Sequence, residues 1–99
     1  MEFERLKTLV DHLIYKELTI AFAESMTAGL ASAEFGRIPG VSDILLGGVV
    51  TYSAEVKKKL LKVNKGIIDA KGAESTETTR AMADGLEALL GPNIAVAFT

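Results

Sequence analysis

The stretch from residue 18 to residue 32 constrains the fold most, because its composition changes abruptly within a few positions. Residues 18–23 are a short, mostly apolar run without helical spacing, which predicts a buried strand. Residues 24–27 are largely polar, and the small residues around Leu30 that follow predict a closely packed helix. The junction is therefore strand, polar turn and helix, an arrangement that open α/β sheets place at the carboxyl edge, where ligands bind.

The polar turn carries several groups that could bind a ligand or carry out chemistry. Backbone N–H groups at a helix start have no partner within the helix, so we expect them to be unpaired here and to attract anions. Ser25 and Thr27 add two hydroxyls at the same place. Serine and threonine are also favoured N-cap residues, so the pattern alone leaves open whether these two do more than cap the helix.

Composition excludes several classes of site. The chain has 99 residues, enough for one domain at most, and 48% of them are apolar, which favours an ordered globular fold. A net charge of −2 gives no electrostatic reason to expect nucleic acid or a membrane surface as a partner. Without cysteine there is no disulfide, thiolate nucleophile or zinc–thiolate site, and with His12 as the single histidine there is no multi-histidine metal site within one chain. We expect neither a metal nor a cofactor.

The chain shows no targeting pattern. Its opening residues lack the basic and apolar regions of a signal peptide, and no apolar run approaches the roughly 18 residues of a membrane span. We therefore expect a cytoplasmic protein.

Strands and helices alternate along the chain. Residues 3–16 have the three- and four-residue spacing of an amphipathic helix, with His12 on its polar face and therefore predicted at the surface. After the strand and helix of residues 18–32, residues 41–46 are compatible with a short strand or a helical turn. The pair Gly47-Gly48 then breaks the pattern before a predicted strand at residues 49–52.

The second half of the chain predicts two helices with a short helical turn between them, and a final strand. Ser53 is predicted to cap a helix from Ala54 to Leu61, and residues 66–71 form one short helical turn. Ser75 or Thr76 caps the next helix, in which Gly85 predicts a close contact with the sheet. Residues 93–99 are an apolar strand. The order helix, strand, helix, strand, helix, helix, strand indicates a layered α/β fold.

Five runs of the chain match the motifs of one known family in the same order. They are Ala23 to Gly29, Pro39 to Asp43, Gly47 to Lys57, Gly72 to Ser75, and Ala81 to Gly85. The chain thereby resembles the C-terminal domain of the competence/damage-inducible CinA proteins, which also occurs alone as nicotinamide-mononucleotide deamidase. The family's runs are similar to Ala-Glu-Ser-Cys-Thr-Gly-Gly, Pro-Gly-Ser-Ser-Asp and Gly-Gly-Val-Val-Thr-Tyr-Ser-Asn-Glu-Ala-Lys. The resemblance implies an α/β/α sandwich covering residues 1–99 as a single domain.

The resemblance also implies an activity and a set of site residues. The activity is hydrolysis of the carboxamide of nicotinamide mononucleotide to give nicotinate mononucleotide and ammonia, in the salvage of pyridine nucleotides. The implied catalytic residues are Ser42, Tyr52 and Lys57. The implied substrate-binding residues are Glu24, Ser25, Thr27, Gly29 and Thr99.

Amide hydrolysis without a metal requires a nucleophile, a base and donors for the oxyanion. With no histidine expected in the site, Lys57 must deprotonate the serine, which requires burial or a neighbouring cation to lower the pKa of the lysine. Tyr52 either relays the proton or donates to the oxyanion. We favour Ser42 as the nucleophile, with Ser25 and Thr27 holding substrate, and the exchange of these roles between Ser25 and Ser42 remains open.

The chain departs from the family pattern at single positions and in length. Substitutions at Met26, Ala28, Val41, Ala54 and Glu74 remove no implied reacting group, but Ala28 carries a Cβ where the family has glycine. Family domains continue beyond the last strand by roughly a third more chain, with a basic residue expected near the substrate phosphate. The alternative function is therefore an inactive module that binds a nucleotide or self-associates. We also expect a homo-oligomer, because the final apolar strand would otherwise leave an open sheet edge.

Overall fold

The computed structural model describes residues 2–99 and confirms the predicted order of elements, except that the helical turn predicted at residues 66–71 is a helix in its own right. The helices are α1 (Phe3–Lys16), α2 (Leu30–Gly36), α3 (Ala54–Leu61), α4 (Lys65–Lys71) and α5 (Thr76–Leu90). The strands are β1 (Ile20–Glu24), β2 (Leu45–Val50) and β3 (Ile94–Phe98), and a 3₁₀ turn spans Val41–Asp43.

The three strands form one parallel sheet in the order β2-β1-β3, so β1 is central. Strand residues alternate between the two faces, and each face carries its own core. One core contains residues of α1 and α2 with Ile20 and Phe22 of β1, and we call this side the α2 face. The other contains residues of α3 and α5 with Ala21 and Ala23 of β1, and we call this side the α5 face. The molecule is thus the layered α/β/α fold that the sequence predicted.

Strand β2 starts earlier than expected. The sequence predicted a break at Gly47-Gly48, but both glycines lie inside the strand. The strand pairing shifts between Ile20 and Ala21, where Leu45 and then Gly47 are the partners, and Gly47 adopts a φ of 146°. Gly48 lies under α2, where a Cβ would be 2.8 Å from Ser32 Oγ. The glycines therefore accommodate an irregular register and a close helix.

Gly85 does mark a close contact, but its neighbour is a helix and not the sheet. A Cβ at Gly85 of α5 would lie 2.0 Å from the carbonyl oxygen of Leu61, the last residue of α3. The prediction of a helix–sheet contact was therefore wrong in its partner. The absence of a side chain lets α5 approach the end of α3 closely.

The predicted caps of the later helices are present. Ser53 Oγ accepts the N–H of Val56 at the start of α3, and Ser75 Oγ accepts the N–H of Thr78 at the start of α5. Of residues 41–46, for which a short strand or a helical turn was predicted, residues 41–43 form the helical turn and residues 45–46 begin β2. Within residues 2–99, no helix combines the length and apolar character needed to cross a membrane.

Candidate active site

A buried lysine and a buried serine meet at the carboxyl end of the central strand. Lys57 of α3 is only 1% exposed, and its Nζ donates a hydrogen bond to Ser25 Oγ at 3.0 Å. Ser25 directly follows β1 and is 5% exposed. Because side chains alternate along β1, Ser25 points to the α5 face, as Ala21 and Ala23 do, and this is the face on which α3 packs.

Tyr52 contributes its backbone to this pair of side chains. The Tyr52 carbonyl oxygen accepts a hydrogen bond from Lys57 Nζ at 3.0 Å and a longer one from Ser25 Oγ at 3.4 Å. Its phenol ring is 69% exposed. The structure therefore brings together Ser25, Lys57 and the Tyr52 carbonyl, and it leaves the phenol at the rim.

The environment of Lys57 favours the neutral amine that a general base requires. Burial lowers the pKa of Lys57 below its ordinary value of 10.5, and the carboxylate of Glu74 partly opposes this effect. Glu74 occupies a position where the resembling family has an apolar residue. The chain thus meets the condition set for a lysine base, with an added charge that moderates the shift.

Glu24 precedes Ser25 in the chain but points to the opposite face of the sheet. Its buried carboxylate accepts five hydrogen bonds, all from the turn after β1 and the start of α2. Oε1 accepts the Thr27 hydroxyl and the N–H groups of Gly29 and Ala31. Oε2 accepts both the N–H and the hydroxyl of Ser32. Glu24 is thus the anion at the start of α2.

This arrangement corrects one expectation from the sequence. The N–H groups of Gly29, Ala31 and Ser32 were expected to be unpaired and free for an anion, but Glu24 uses them. Burial acts to raise the pKa of Glu24, yet the hydrogen bonds from Ser32, Thr27 and the backbone outweigh it, and the pKa lies below its ordinary value of 4.5.

The turn between β1 and α2 has an unusual backbone conformation and two donors that are unpaired within the described residues. Ala28 and Gly29 adopt φ values of 51° and 100°, so the turn passes through the left-handed region at two successive positions. The N–H groups of Met26 and Thr27 have no protein partner among residues 2–99. These two donors lie immediately after Ser25 and remain available to a ligand.

Ser42 lies away from this group. It belongs to the 3₁₀ turn that precedes β2, at the amino edge of the sheet, and it is exposed. Ser25 follows β1 at the carboxyl edge of the same parallel sheet. The five-residue length of β1 separates the two edges by about 13 Å. The structure therefore does not bring Ser42 together with Tyr52 and Lys57.

Thr99 lies on the same face as Ser25. Ser25 N–H donates to the Phe98 carbonyl at 2.9 Å, so Thr99 follows β3 directly beside the serine. The Thr99 hydroxyl is 2.7 Å from the hydroxyl of Thr79 in α5.

Sequence reasoning missed three polar residues near the site. Ser32 completes the hydrogen bonds of Glu24, Thr79 contacts Thr99, and the Thr51 hydroxyl is buried without a hydrogen-bond partner among the described residues. Thr51 follows β2, and its N–H donates to the Glu24 carbonyl. The available signal was positional, since Thr51, Ser25 and Thr99 each follow one of three parallel strands.

Comparison with known proteins identifies the family. The family model described as CinA C-terminal domain matches residues 3–99. The chain belongs to the CinA C-terminal domain family. A competence-damage inducible protein of Listeria monocytogenes is 47% identical over 87 residues, which are 88% of this chain and 21% of the relative. A competence-damage inducible protein of Desulforudis audaxviator is 43% identical over 93 residues, which are 94% of this chain and 22% of that relative.

Solved structures of CinA-type proteins share the fold. The competence damage-inducible protein A (ComA) of Klebsiella pneumoniae superposes with a TM-score of 0.92 at 28% identity, covering 98% of this chain and 61% of that one. The competence/damage inducible protein CihA of Agrobacterium tumefaciens superposes with a TM-score of 0.84 at 31% identity, covering 93% of this chain and 58% of that one. Compared with the curated relatives named above, this CinA domain spans about a fifth of their length.

Proposed function

We propose that this CinA domain is a serine–lysine amidohydrolase that cleaves the carboxamide of nicotinamide mononucleotide. The observation that carries the proposal is the buried contact of 3.0 Å between Lys57 Nζ and Ser25 Oγ. Lys57 has no ion pair with a carboxylate among residues 2–99, and a lysine held in this way against a serine hydroxyl is suited to accept the serine proton. The choice of substrate comes from the resemblance to the deamidase.

Ser25, not Ser42, is the nucleophile in this proposal. A base must lie within hydrogen-bond reach of the proton that it removes, and Lys57 meets this condition for Ser25. Ser42 is at the other edge of the sheet. The structure thus favours the exchange of serine roles that the sequence left open.

Acylation begins when neutral Lys57 takes the Ser25 hydroxyl proton as the oxygen attacks the carboxamide carbon. The N–H groups of Met26 and Thr27, which lack protein partners within residues 2–99 and directly follow Ser25 in the chain, would donate to the resulting oxyanion. Collapse of the tetrahedral intermediate breaks the C–N bond, and the Lys57 ammonium returns the proton to the departing nitrogen. The products of this step are ammonia and an ester on Ser25.

Deacylation uses the same base. Lys57, again neutral, takes a proton from water as the water oxygen attacks the ester carbon, and the proton then passes to Ser25 Oγ as the ester bond breaks. The Tyr52 carbonyl holds Lys57 Nζ in place through both steps. The exposed phenol of Tyr52 is free to contact bound substrate, and its role as a donor or relay stays a prediction.

The experiment is a measurement of ammonia release from nicotinamide mononucleotide, with nicotinamide riboside and free nicotinamide tested in parallel. Release should occur with the mononucleotide and should disappear in Ser25→Ala and Lys57→Met. Ser42→Ala is the matched control, since it removes an exposed serine from the opposite edge, and it should retain activity. Activity that survives Ser25→Ala but not Ser42→Ala would reverse the assignment.

A second candidate is a module that binds a nucleotide or self-associates without catalysis. It is supported by β3, which among the described strands pairs only with β1 and so presents an open outer edge. Binding of nicotinamide mononucleotide without ammonia release, at protein concentrations above the Kd, would favour this candidate over the hydrolase.

A further inference from the structure

The hydroxyls of Thr79 and Thr99 form a short chain of hydrogen bonds near Ser25, the proposed nucleophile. Thr79 Oγ1 lies 2.7 Å from Thr99 Oγ1 and donates to the carbonyl oxygen of Ser75 at 2.8 Å. That carbonyl is held by the helix itself, because it also accepts the Thr79 N–H at 2.9 Å. The contact of the Thr79 hydroxyl with Ser75 is therefore fixed within the first turn of α5, and its contact with Thr99 joins this turn to the residue after β3.

The direction of the hydrogen bond between the two threonines follows from counting protons. A hydroxyl has one proton, and a carbonyl oxygen can only accept. The Thr79 proton therefore goes to Ser75, and Thr99 must donate in the bond between the two hydroxyls. With its proton used in this way, Thr99 Oγ1 can offer only lone pairs to any further partner.

The position of Thr99 puts this acceptor next to the serine–lysine pair. The Ser25 N–H donates to the carbonyl of Phe98, the residue before Thr99. Ser25 contacts Lys57 of α3 and Thr99 contacts Thr79 of α5, and these two helices pack on the same face of the sheet. A substrate whose carboxamide carbon lies against Ser25 would thus have Thr99 Oγ1 beside the group.

We propose that Thr79 holds Thr99 as a hydrogen-bond acceptor for the N–H of the substrate carboxamide, and that this polarity selects the amide over the carboxylate product. This inference rests on the proposed hydrolase function. A primary amide has two N–H donors, whereas a carboxylate has none and would place a negative oxygen against the lone pairs of Thr99. Thr79 is in this scheme a positioning residue, which acts on the substrate through Thr99.

The test compares equilibrium binding of nicotinamide mononucleotide and nicotinate mononucleotide by calorimetry at neutral pH. Ser25→Ala is the background, so that the amide is not consumed. Adding Thr79→Val frees the Thr99 proton, so the amide-over-acid ratio of affinities should fall about tenfold, largely through tighter binding of the acid. Adding Thr99→Val should lower the ratio through weaker binding of the amide alone.

Two controls separate polarity from loss of structure. Thr99→Ser keeps the hydroxyl and should keep the ratio. Thr8→Val removes a matching hydroxyl, which donates to the carbonyl four residues earlier in α1 at 2.9 Å, and it should also leave the ratio unchanged. Circular dichroism and thermal unfolding establish that each variant is folded.

The outcomes distinguish this inference from the proposed function. An unchanged ratio in a folded Thr79→Val variant, or a background protein that binds neither nucleotide, overturns the polarity proposal. Ammonia release by the unmodified chain together with an unchanged ratio rejects the selection by Thr79 and leaves the hydrolase. A ratio that shifts as expected in a chain that releases no ammonia supports the selection and rejects the hydrolase.

Discussion

Glu24 and Ser25 are neighbours in the chain, yet their side chains serve opposite faces of the sheet. Glu24 binds the start of α2, and Ser25 contacts Lys57 of α3. The carboxylate that organises the turn is therefore adjacent to the hydroxyl that we propose as the nucleophile. Stability and catalysis can be perturbed separately at these two positions.

The first prediction concerns Glu24→Gln. A neutral amide cannot accept the same set of hydrogen bonds, and we expect a loss of about 2–3 kcal/mol in the free energy of unfolding at neutral pH. The pKa of Glu24 is lower in the folded chain, so the unfolded chain binds more protons and the stabilisation is lost as pH falls below about 4.5 and through the folded pKa. Urea denaturation across this range measures both effects.

Glu87→Gln is the matched control for this substitution. Glu87 is exposed on α5, and its replacement should change the free energy of unfolding by less than about 0.5 kcal/mol at neutral pH. Equal changes in the free energy of unfolding for the two substitutions would show that the hydrogen bonds to Glu24 do not stabilise the fold.

The second prediction concerns Lys57. Lys57→Arg should abolish turnover because a guanidinium does not act as a base, and Lys57→Met should do the same. The Met variant should be more stable than the unmodified chain at neutral pH, by about 1 kcal/mol, because it removes a buried polar group. Ammonia release and thermal unfolding check the two parts.

The advantage of Lys57→Met should depend on pH. The pKa of Lys57 is lowered by folding, so between the folded pKa and 10.5 the unfolded chain binds more protons and the stability of the unmodified chain rises with pH. The difference between the two proteins should therefore shrink as pH approaches 10.5. A difference that is constant with pH would contradict the lowered pKa, and near-normal turnover by the Arg variant would exclude a lysine base.

The third prediction separates the backbone of Tyr52 from its ring. Tyr52→Phe keeps the carbonyl that accepts from Lys57, so the pH dependence of turnover should not move. Loss of the phenol should lower kcat roughly tenfold or more if it donates to the oxyanion. Initial rates across the pH range test this, and a shifted profile would mean that the phenol tunes Lys57.

The fourth prediction concerns Gly48→Ala. The added Cβ would lie 2.8 Å from Ser32 Oγ and 2.9 Å from the Phe22 carbonyl oxygen, so the Ser32 side chain and the paired strands must shift and the free energy of unfolding should fall by about 1–3 kcal/mol. Gly36→Ala is the control, because no atom of the described residues lies within 4 Å of a Cβ added there, and it should be neutral or stabilising. Thermal unfolding of both variants provides the comparison.

The fifth prediction is a homo-oligomer. The outer edge of β3 is unpaired among the described strands, and open strand edges recruit further chains. We expect a dimer with two-fold symmetry, the commonest closed assembly. Light scattering over a hundredfold dilution from micromolar concentration should detect it, and a single monomer mass throughout would reject it.

The sequence predicted the elements well because each has a local cause. Hydrophobic spacing defines α1 and the final strand, and the caps at Ser53 and Ser75 act within one turn of their own position. The glycines were harder, since the role of Gly48 depends on Ser32 and that of Gly85 on Leu61, residues that the local pattern does not connect.

The site could be predicted in its parts but not in its pairing. Ser25 and Lys57 were both implied by the family motifs, yet they are 32 positions apart, and their contact depends on the strand order and on the face to which each side chain points. The preference for Ser42 took no account of which edge of the sheet its turn occupies. The sequence did not show that Glu24 would bind the start of α2, because this depends on the turn bringing residues 29–31 back to the Glu24 side chain.

Because Glu24 and Ser25 point to opposite faces, the register of β1 in the sheet determines which of the two side chains meets Lys57. Deleting one residue within β1 would slip the strand by one position and exchange its faces. The carboxylate would then point at Lys57 and form a buried ion pair, which keeps the lysine protonated and so unable to accept the serine proton. The serine would meet the start of α2, where it can serve only as a cap. An insertion or deletion in this strand would thus convert the proposed catalytic site into a salt bridge, although every residue that the site uses would still be present.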